Sequence, residues 1–139
     1  MNVFFDVDYT ILGMDGSLRP GTEELFGQLD DDGHHVYVWS GFGDRTHEIR
    51  RAGLERFRGA FRKPLSDFGR GLCRCGVPVV PDFVVDDHPG IVQYFGGFCI
   101  RPYRGRHDAD GELRRIPALL AAHVPDEGRR TGWANAVGM

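Results

Sequence analysis

At 139 residues with a net charge of −3 and both signs interspersed, the chain is long enough for one hydrophobic core. It carries neither a basic face for nucleic acid nor an acidic tail for a basic partner. Of its 17 basic residues all but one are arginine, which leaves Lys63 as the sole lysine. The three cysteines include a C-x-C pair, Cys73 and Cys75, without a second pair or a histidine cluster at zinc spacing. Reduced, partly buried thiols are therefore expected. There is no run of about 18 apolar residues, and the N-terminus leads straight into a strand without a signal-like apolar core, so a cytoplasmic protein without a membrane span is expected.

In chain order, short β-rich runs alternate with helical patterns, which predicts a parallel sheet with helices on both faces. Residues 3–7 form the first strand, too short for an amphipathic helix. The segment 11–18 carries Asp15-Gly16, a favoured hairpin turn between apolar flanks, and predicts a small β-flap. "RPGTEELFGQLDDDG" predicts a helix with Thr22 as N-cap, Glu23 and Glu24 in the first turn, and Gly33 as the stop. "HVYVWSG" is the second strand, ending in Ser40 and Gly41, and "DRTHEIRRAGL" is a helix closed near Gly53. A third strand is expected within "RFRGAFRK", with Phe57 and Phe61 inward.

Ser66 is expected to cap a helix that places Phe68 and Leu72 on one face and ends at Gly76. The fourth strand spans residues 82–86 and ends in Asp86 and Asp87. "PGIVQYFGG" is a short helix, "FCIRPY" a fifth strand, and residues 111–123 a helical segment restarted at Pro117. From residue 125 onward glycine and polar residues predict a frayed tail, so the expected organisation is one domain over 1–124 and a flexible segment over 125–139.

In an open parallel sheet, residues at the carboxyl ends of the strands converge on one crevice. Asp6, Asp8 and Thr10 leave the first strand, Ser40 the second, and Asp86 and Asp87 the fourth. Carboxylates gathered in one crevice repel, and at least one pKa rises unless a cation neutralises them. A hard divalent ion with oxygen ligands, Mg²⁺ above all, resolves the conflict, because it takes a few carboxylates together with water and phosphate oxygens. A phosphoryl group adds more negative charge. Lys63, the Ser40 hydroxyl and nearby backbone amides are placed to hold it.

These residues, in this order, resemble the haloacid dehalogenase (HAD) superfamily of phosphatases and phosphotransferases. "FFDVDYT" is similar to its first motif, an apolar strand followed by D-x-D-x-T. Ser40 in "VYVWSG" is similar to the second motif, Lys63 in "RKP" to the third, and "VVDD" to the acidic fourth. The resemblance covers residues 3–103, and the ordered set is far more specific than any single piece. It implies a three-layer Rossmann-like domain with a central, mainly parallel sheet of about five strands.

The resemblance also implies roles. Asp6 would be the nucleophile that becomes an aspartyl-phosphate, and Asp8 the general acid and then the base. Thr10, Ser40, Gly41 and Lys63 would bind the phosphoryl group, with Thr10 also bracing the first loop. Mg²⁺ would be held by Asp6, the Asp8 backbone carbonyl and Asp86, with Asp87 in support or exchanging roles with Asp86.

The chain departs from the family at Tyr9, where members very often carry glycine, and it has no room for a cap domain in either of the usual places. A capless, open site suits a large phosphorylated substrate, or a small one covered by a neighbouring subunit in a homo-oligomer. Specificity would then fall to the flap, Tyr9, Phe42 and His88. The implied activity is Mg²⁺-dependent phosphomonoester hydrolysis. A phosphotransferase of the same fold, or a phosphate- and metal-binding module without turnover, is the alternative. A receiver-type signalling domain uses the same residue types in a different order, with its hydroxyl and lysine after the phosphoacceptor, and does not fit.

Overall fold

The computed structural model of the chain describes residues 1–106 and 110–136. Its centre is a five-stranded parallel sheet made of β1 (Asn2–Asp6), β2 (His35–Ser40), β3 (Gly59–Arg62), β4 (Phe83–Asp86) and β5 (Gly97–Cys99), in the spatial order β3-β2-β1-β4-β5. The chain grows outward from β1 to β3, crosses back over β1, and then grows outward on the other side. The expected Rossmann-like α/β architecture is what the molecule adopts.

A parallel strand buried on both faces reads as an unbroken apolar run, and β1 does so because its side chains serve two cores in alternation. Val3 and Phe5 face one side with Val36, Val38, Phe83 and Val85, while Phe4 faces the other with Tyr37, Trp39 and Val84. The first core is roofed by α1 (Thr22–Asp31) through Leu25, Phe26 and Leu29, by α2 (Thr46–Arg51) through Ile49, and by a short 3-10 helix (Glu112–Arg115) that leads into α5 (Ile116–Ala122). The second core is roofed by α3 (Phe68–Arg74) and α4 (Pro89–Phe95), which contribute Leu72, Ile91, Val92 and Phe95. Phe57 and Phe61, at the weakly marked third strand, are partly buried against opposite cores.

Several local expectations are corrected. Thr22 is the first residue of α1, not its cap: Gly21 precedes it at φ 88°, and the Thr22 hydroxyl donates back to the Arg19 carbonyl at 2.7 Å. Ser66 is likewise not a cap, because Asp67 in a left-handed conformation (φ 46°) leads into α3. The flap is a tight turn with a single antiparallel bridge, Leu12 to Leu18, in place of paired strands. Its Asp15 carboxylate accepts from the Ser17 and Arg106 amides, both at 3.0 Å, and the Ser17 hydroxyl above all pulls the Asp15 pKa down to about 2. Cys73 and Cys99 are exposed thiols, and only Cys75 is partly buried.

Where composition predicts a frayed tail, Glu127–Ala136 forms a further helix, α6. It docks through charge and ring contacts that a hydropathy pattern does not show. Arg130 pairs with the buried Asp82 at 2.6 Å, and the Arg129 guanidinium lies 4.5 Å from the Tyr94 ring centre. Among the described residues no helix is long and apolar enough to cross a membrane.

Candidate functional site

The sheet order reverses at β1 and β4, and in open α/β sheets the crevice at such a switch point is where ligands bind. The two strands pair through Val3–Phe83, Phe4–Val84 and Phe5–Val85, so the next residue of each, Asp6 and Asp86, lies at the shared carboxyl edge. Both are buried.

Lys63 follows β3 directly, and its amide donates to the Ser40 carbonyl at 2.8 Å. That anchor sends its long stem past β2 to the switch point. Its ammonium donates to Asp6 Oδ1 and to Asp86 Oδ2, each at 3.0 Å, and is itself buried. The second oxygen of each carboxylate is also held. Thr10 Oγ1 donates to Asp6 Oδ2 at 3.2 Å, and the His88 amide donates to Asp86 Oδ1 at 3.0 Å.

One ammonium does not balance this set. Asp87 stands beside the pair with a buried Oδ1 that has no hydrogen-bond partner. Burial, then repulsion from Asp86, pushes the Asp6 carboxyl well above the usual range against the pull of Lys63, and a contact with Asp87 adds to the rise. Burial also raises Asp86, again against Lys63. Burial alone would depress Lys63, yet the charges of Asp6 and Asp86 outweigh it and hold the lysine above its ordinary value. Two buried carboxylates and a half-buried third around one ammonium satisfy themselves by keeping protons or by taking up a cation.

The residues fit a divalent cation. The orphaned Asp87 oxygen is a donor awaiting a partner, and donor atoms of Asp86, Asp87 and His88 lie within 4.8 Å of one another. Carboxylate oxygens suit a hard ion, while the imidazole of His88 would widen the choice toward transition metals.

The remaining predicted residues occupy the rim. The Asp8 side chain is turned away from the lysine and accepts from Arg45 at 2.7 Å, with Glu48 3.5 Å from the same guanidinium. Asp8 lines a cleft of about 880 Å³ together with Tyr9, Met14, Phe42 and Arg45. Lys63 and His88 line a second, smaller cleft of about 340 Å³ on the other side. Ser40 is buried, and its Oγ accepts from the Phe42 amide at 3.1 Å, which leaves the hydroxyl proton to donate. Gly41 packs beneath Leu65, whose Cδ2 a Cβ at that position would meet at 2.9 Å.

Tyr9 takes φ 64°, a left-handed conformation that costs a non-glycine residue roughly 1 kcal/mol. It is held there from both sides: its amide donates to the Leu12 carbonyl at 2.8 Å, and its carbonyl accepts from the Tyr103 amide at 2.7 Å.

Two arginines matter that sequence patterning did not single out. Arg45 meets Asp8 across 37 residues of sequence, and no local signal marks such a pair. Arg19 is fully buried, paired with Asp110 at 2.5 Å, and donates to the carbonyl of Thr10 at 3.2 Å, so it fixes the loop that carries Asp8 and Thr10. Its position in a turn before Pro20 reads as solvent-exposed. Comparison with protein-family models and with curated proteins gave no match for this chain.

Proposed function

We propose that this chain is a Mg²⁺-dependent phosphatase that hydrolyses a phosphomonoester through an aspartyl-phosphate on Asp6, as its motif order, similar to that of the HAD superfamily, implies. The observation that carries the reading is the pair of buried carboxylates at the switch point, Asp6 and Asp86, sharing one lysine while one buried oxygen of Asp87 lacks a hydrogen-bond partner. A purely structural ion cluster is expected to close its charge; this one leaves room for a cation and a phosphoryl group.

In the reaction, an Asp6 oxygen attacks phosphorus and the bond from phosphorus to the leaving oxygen breaks. Asp8, on the cleft side, gives its proton to that oxygen. Water then attacks the same phosphorus, Asp8 takes the water's proton, and the bond from phosphorus to Asp6 breaks to return the carboxylate and inorganic phosphate. Lys63 and the Ser40 hydroxyl hold the phosphoryl oxygens, and Thr10 holds the second Asp6 oxygen in place. Mg²⁺ would be held by Asp6, Asp86, Asp87 and the Asp8 carbonyl, and when bound would neutralise their charge and polarise the phosphoryl oxygens. The setting we infer is cytoplasmic, with a phosphorylated small molecule as substrate.

The test is phosphate release from a panel of phosphoesters by the wild type, Asp6→Asn and Asp8→Asn. Release that stops with chelator and in Asp6→Asn supports the reading. Phosphoryl exchange onto an added alcohol without net release would instead favour a phosphotransferase, and Mg²⁺ and phosphate binding without either would favour a binding module.

A further inference from the structure

The cleft lined by Asp8 and the cleft lined by Lys63 and His88 are unequal in size and in lining. If Asp8 protonates the leaving oxygen, the leaving group lies on the Asp8 side, in the larger cleft of about 880 Å³. That volume falls within the range of small-molecule sites and exceeds what a phosphate alone needs. Its exposed lining combines charged residues with three large apolar side chains. Tyr9 is 40% exposed and Phe42 86% exposed, and Met14, also on this lining, is exposed at 77%.

Large exposed apolar side chains gathered on one cleft and rimmed by polar residues mark a binding surface. Tyr9 carries a second cost, since its backbone sits at φ 64°, where glycine would fit without strain. Phe42 is tied to the phosphoryl machinery itself, because its amide donates to Ser40 Oγ at 3.1 Å. Its backbone is therefore anchored beside Ser40, at the mouth of the same cleft.

Charge narrows the choice further. Asp8, Asp44 and Glu48 line this cleft against Arg45 and Arg51, and Arg45 is already engaged by Asp8 and Glu48. With Asp8 carrying its proton, Asp44 and Glu48 balance Arg45 and Arg51, so the cleft has no excess positive charge for a leaving group that carries a second anion, and its apolar rings have little to offer a polyol.

Resting on the phosphatase reading, we propose that Tyr9 and Phe42 form the recognition surface for an uncharged planar ring on the leaving group, so that the site takes aryl or nucleoside monophosphates in preference to aliphatic ones. Ring stacking on an exposed aromatic side chain is worth about tenfold or more in affinity. Met14 on the flap adds a polarizable contact to the same ring.

The test measures binding without turnover. Calorimetry on the Asp6→Asn protein with Mg²⁺ compares inorganic phosphate, glycerol 3-phosphate, phenyl phosphate, and adenosine and uridine monophosphates. The ring-bearing esters should bind about tenfold or more tightly than glycerol 3-phosphate. Tyr9→Gly and Phe42→Ala, each added to Asp6→Asn, should collapse that ratio toward one, and Tyr9→Phe should keep it. Nucleotides tighter than phenyl phosphate would identify the ring as a nucleobase; equal binding would identify a simple aryl group.

Tyr9→Gly should melt no lower than its parent, because the backbone strain is removed. A clear fall in Tm would show that Tyr9 is a packing residue and would overturn the proposal. So would a ratio near one in the parent, or a ratio unchanged by Tyr9→Gly and Phe42→Ala. If inorganic phosphate binds and rings confer nothing, only this inference fails; if phosphate itself does not bind, the phosphatase reading fails with it.

Discussion

Lys63 and Arg19 are both buried cations facing carboxylates, and they differ in how the charge is closed. The Arg19 guanidinium donates to both oxygens of Asp110, at 2.9 and 2.5 Å, and to the carbonyls of Thr10 and Arg101 at 3.2 and 2.7 Å. Arg101 adds a second cation at 3.4 Å, so the single anion is more than balanced, and the planar fork of Arg19 meets an acceptor along each of its nitrogens. Lys63 instead meets Asp6 and Asp86, with Asp87 beside them and one of its oxygens unpartnered. The first cluster is finished, and it ties the loop after β1 to the segment beyond β5. The second carries excess negative charge at the switch point, which a bound cation would offset. Closure of charge thus separates an ion pair that holds the fold from one that holds a site.

Removing each cation gives the largest contrast. Arg19→Met should cost about 3–5 kcal/mol, because it leaves the buried Asp110 with only its longer contact to the exposed Arg101 at 3.4 Å, and Mg²⁺ should not restore it. Lys63→Met should cost less, roughly half of that, since Asp6 and Asp86 already favour their protonated forms. Millimolar Mg²⁺ should recover part of that loss. Denaturant unfolding with and without Mg²⁺ checks both; equal losses that ignore Mg²⁺ would remove the distinction.

Asp86→Asn sharpens the contrast on the anionic side. It removes a repelling charge, so metal-free stability should change by no more than about 1 kcal/mol. The rise in Tm that Mg²⁺ gives the wild type should disappear, as a thermal melt would show.

Acid separates the clusters by sign. Burial would raise Asp110, but its hydrogen bonds and charge contact with Arg19 hold its folded pKa below the ordinary value. A depressed carboxyl contributes stability that is complete above its unfolded pKa, near 3.9, and is lost as the pH falls through the folded value. Unfolding followed from pH 5 downward should therefore show an acid slope that Asp110→Asn lacks. Asp6 and Asp86, both raised, contribute in the opposite sense, since their protonation favours the folded state.

The smallest effect belongs to the rim. The Arg45–Asp8 pair is partly open to solvent, and Arg45→Ala should alter stability by less than about 1 kcal/mol.

The sheet was legible because β1, β2 and β4 are short apolar runs ending in polar residues. The strand at Gly59–Arg62 was faint, since its four residues are only partly buried and include a glycine and an arginine. Helix starts were misread where a left-handed residue, Gly21 or Asp67, performs the entry that a side-chain cap was expected to perform. The last helix escaped notice because Arg129 and Arg130 dock it, and charged residues read as solvated until their partners are known. Within the candidate site, Asp6, Thr10, Lys63 and Asp86 stood out as strand-end residues or by rarity, and they meet in the structure. Arg19 and Arg45 did not, because pairing across the fold leaves no periodic trace.

The most direct measurement traps the covalent step. Asp8→Asn, mixed with Mg²⁺ and an activated aryl phosphate that the wild type hydrolyses and whose leaving oxygen needs no proton, should accumulate an acyl phosphate on Asp6. Borohydride reduction would convert it to an alcohol, visible as a mass change in the peptide that contains Asp6. Modification confined to Asp6 and absent from Asp6→Asn is the predicted result. Phosphate release by the wild type with no modification at Asp6, or undiminished release by Asp6→Asn, would contradict the account.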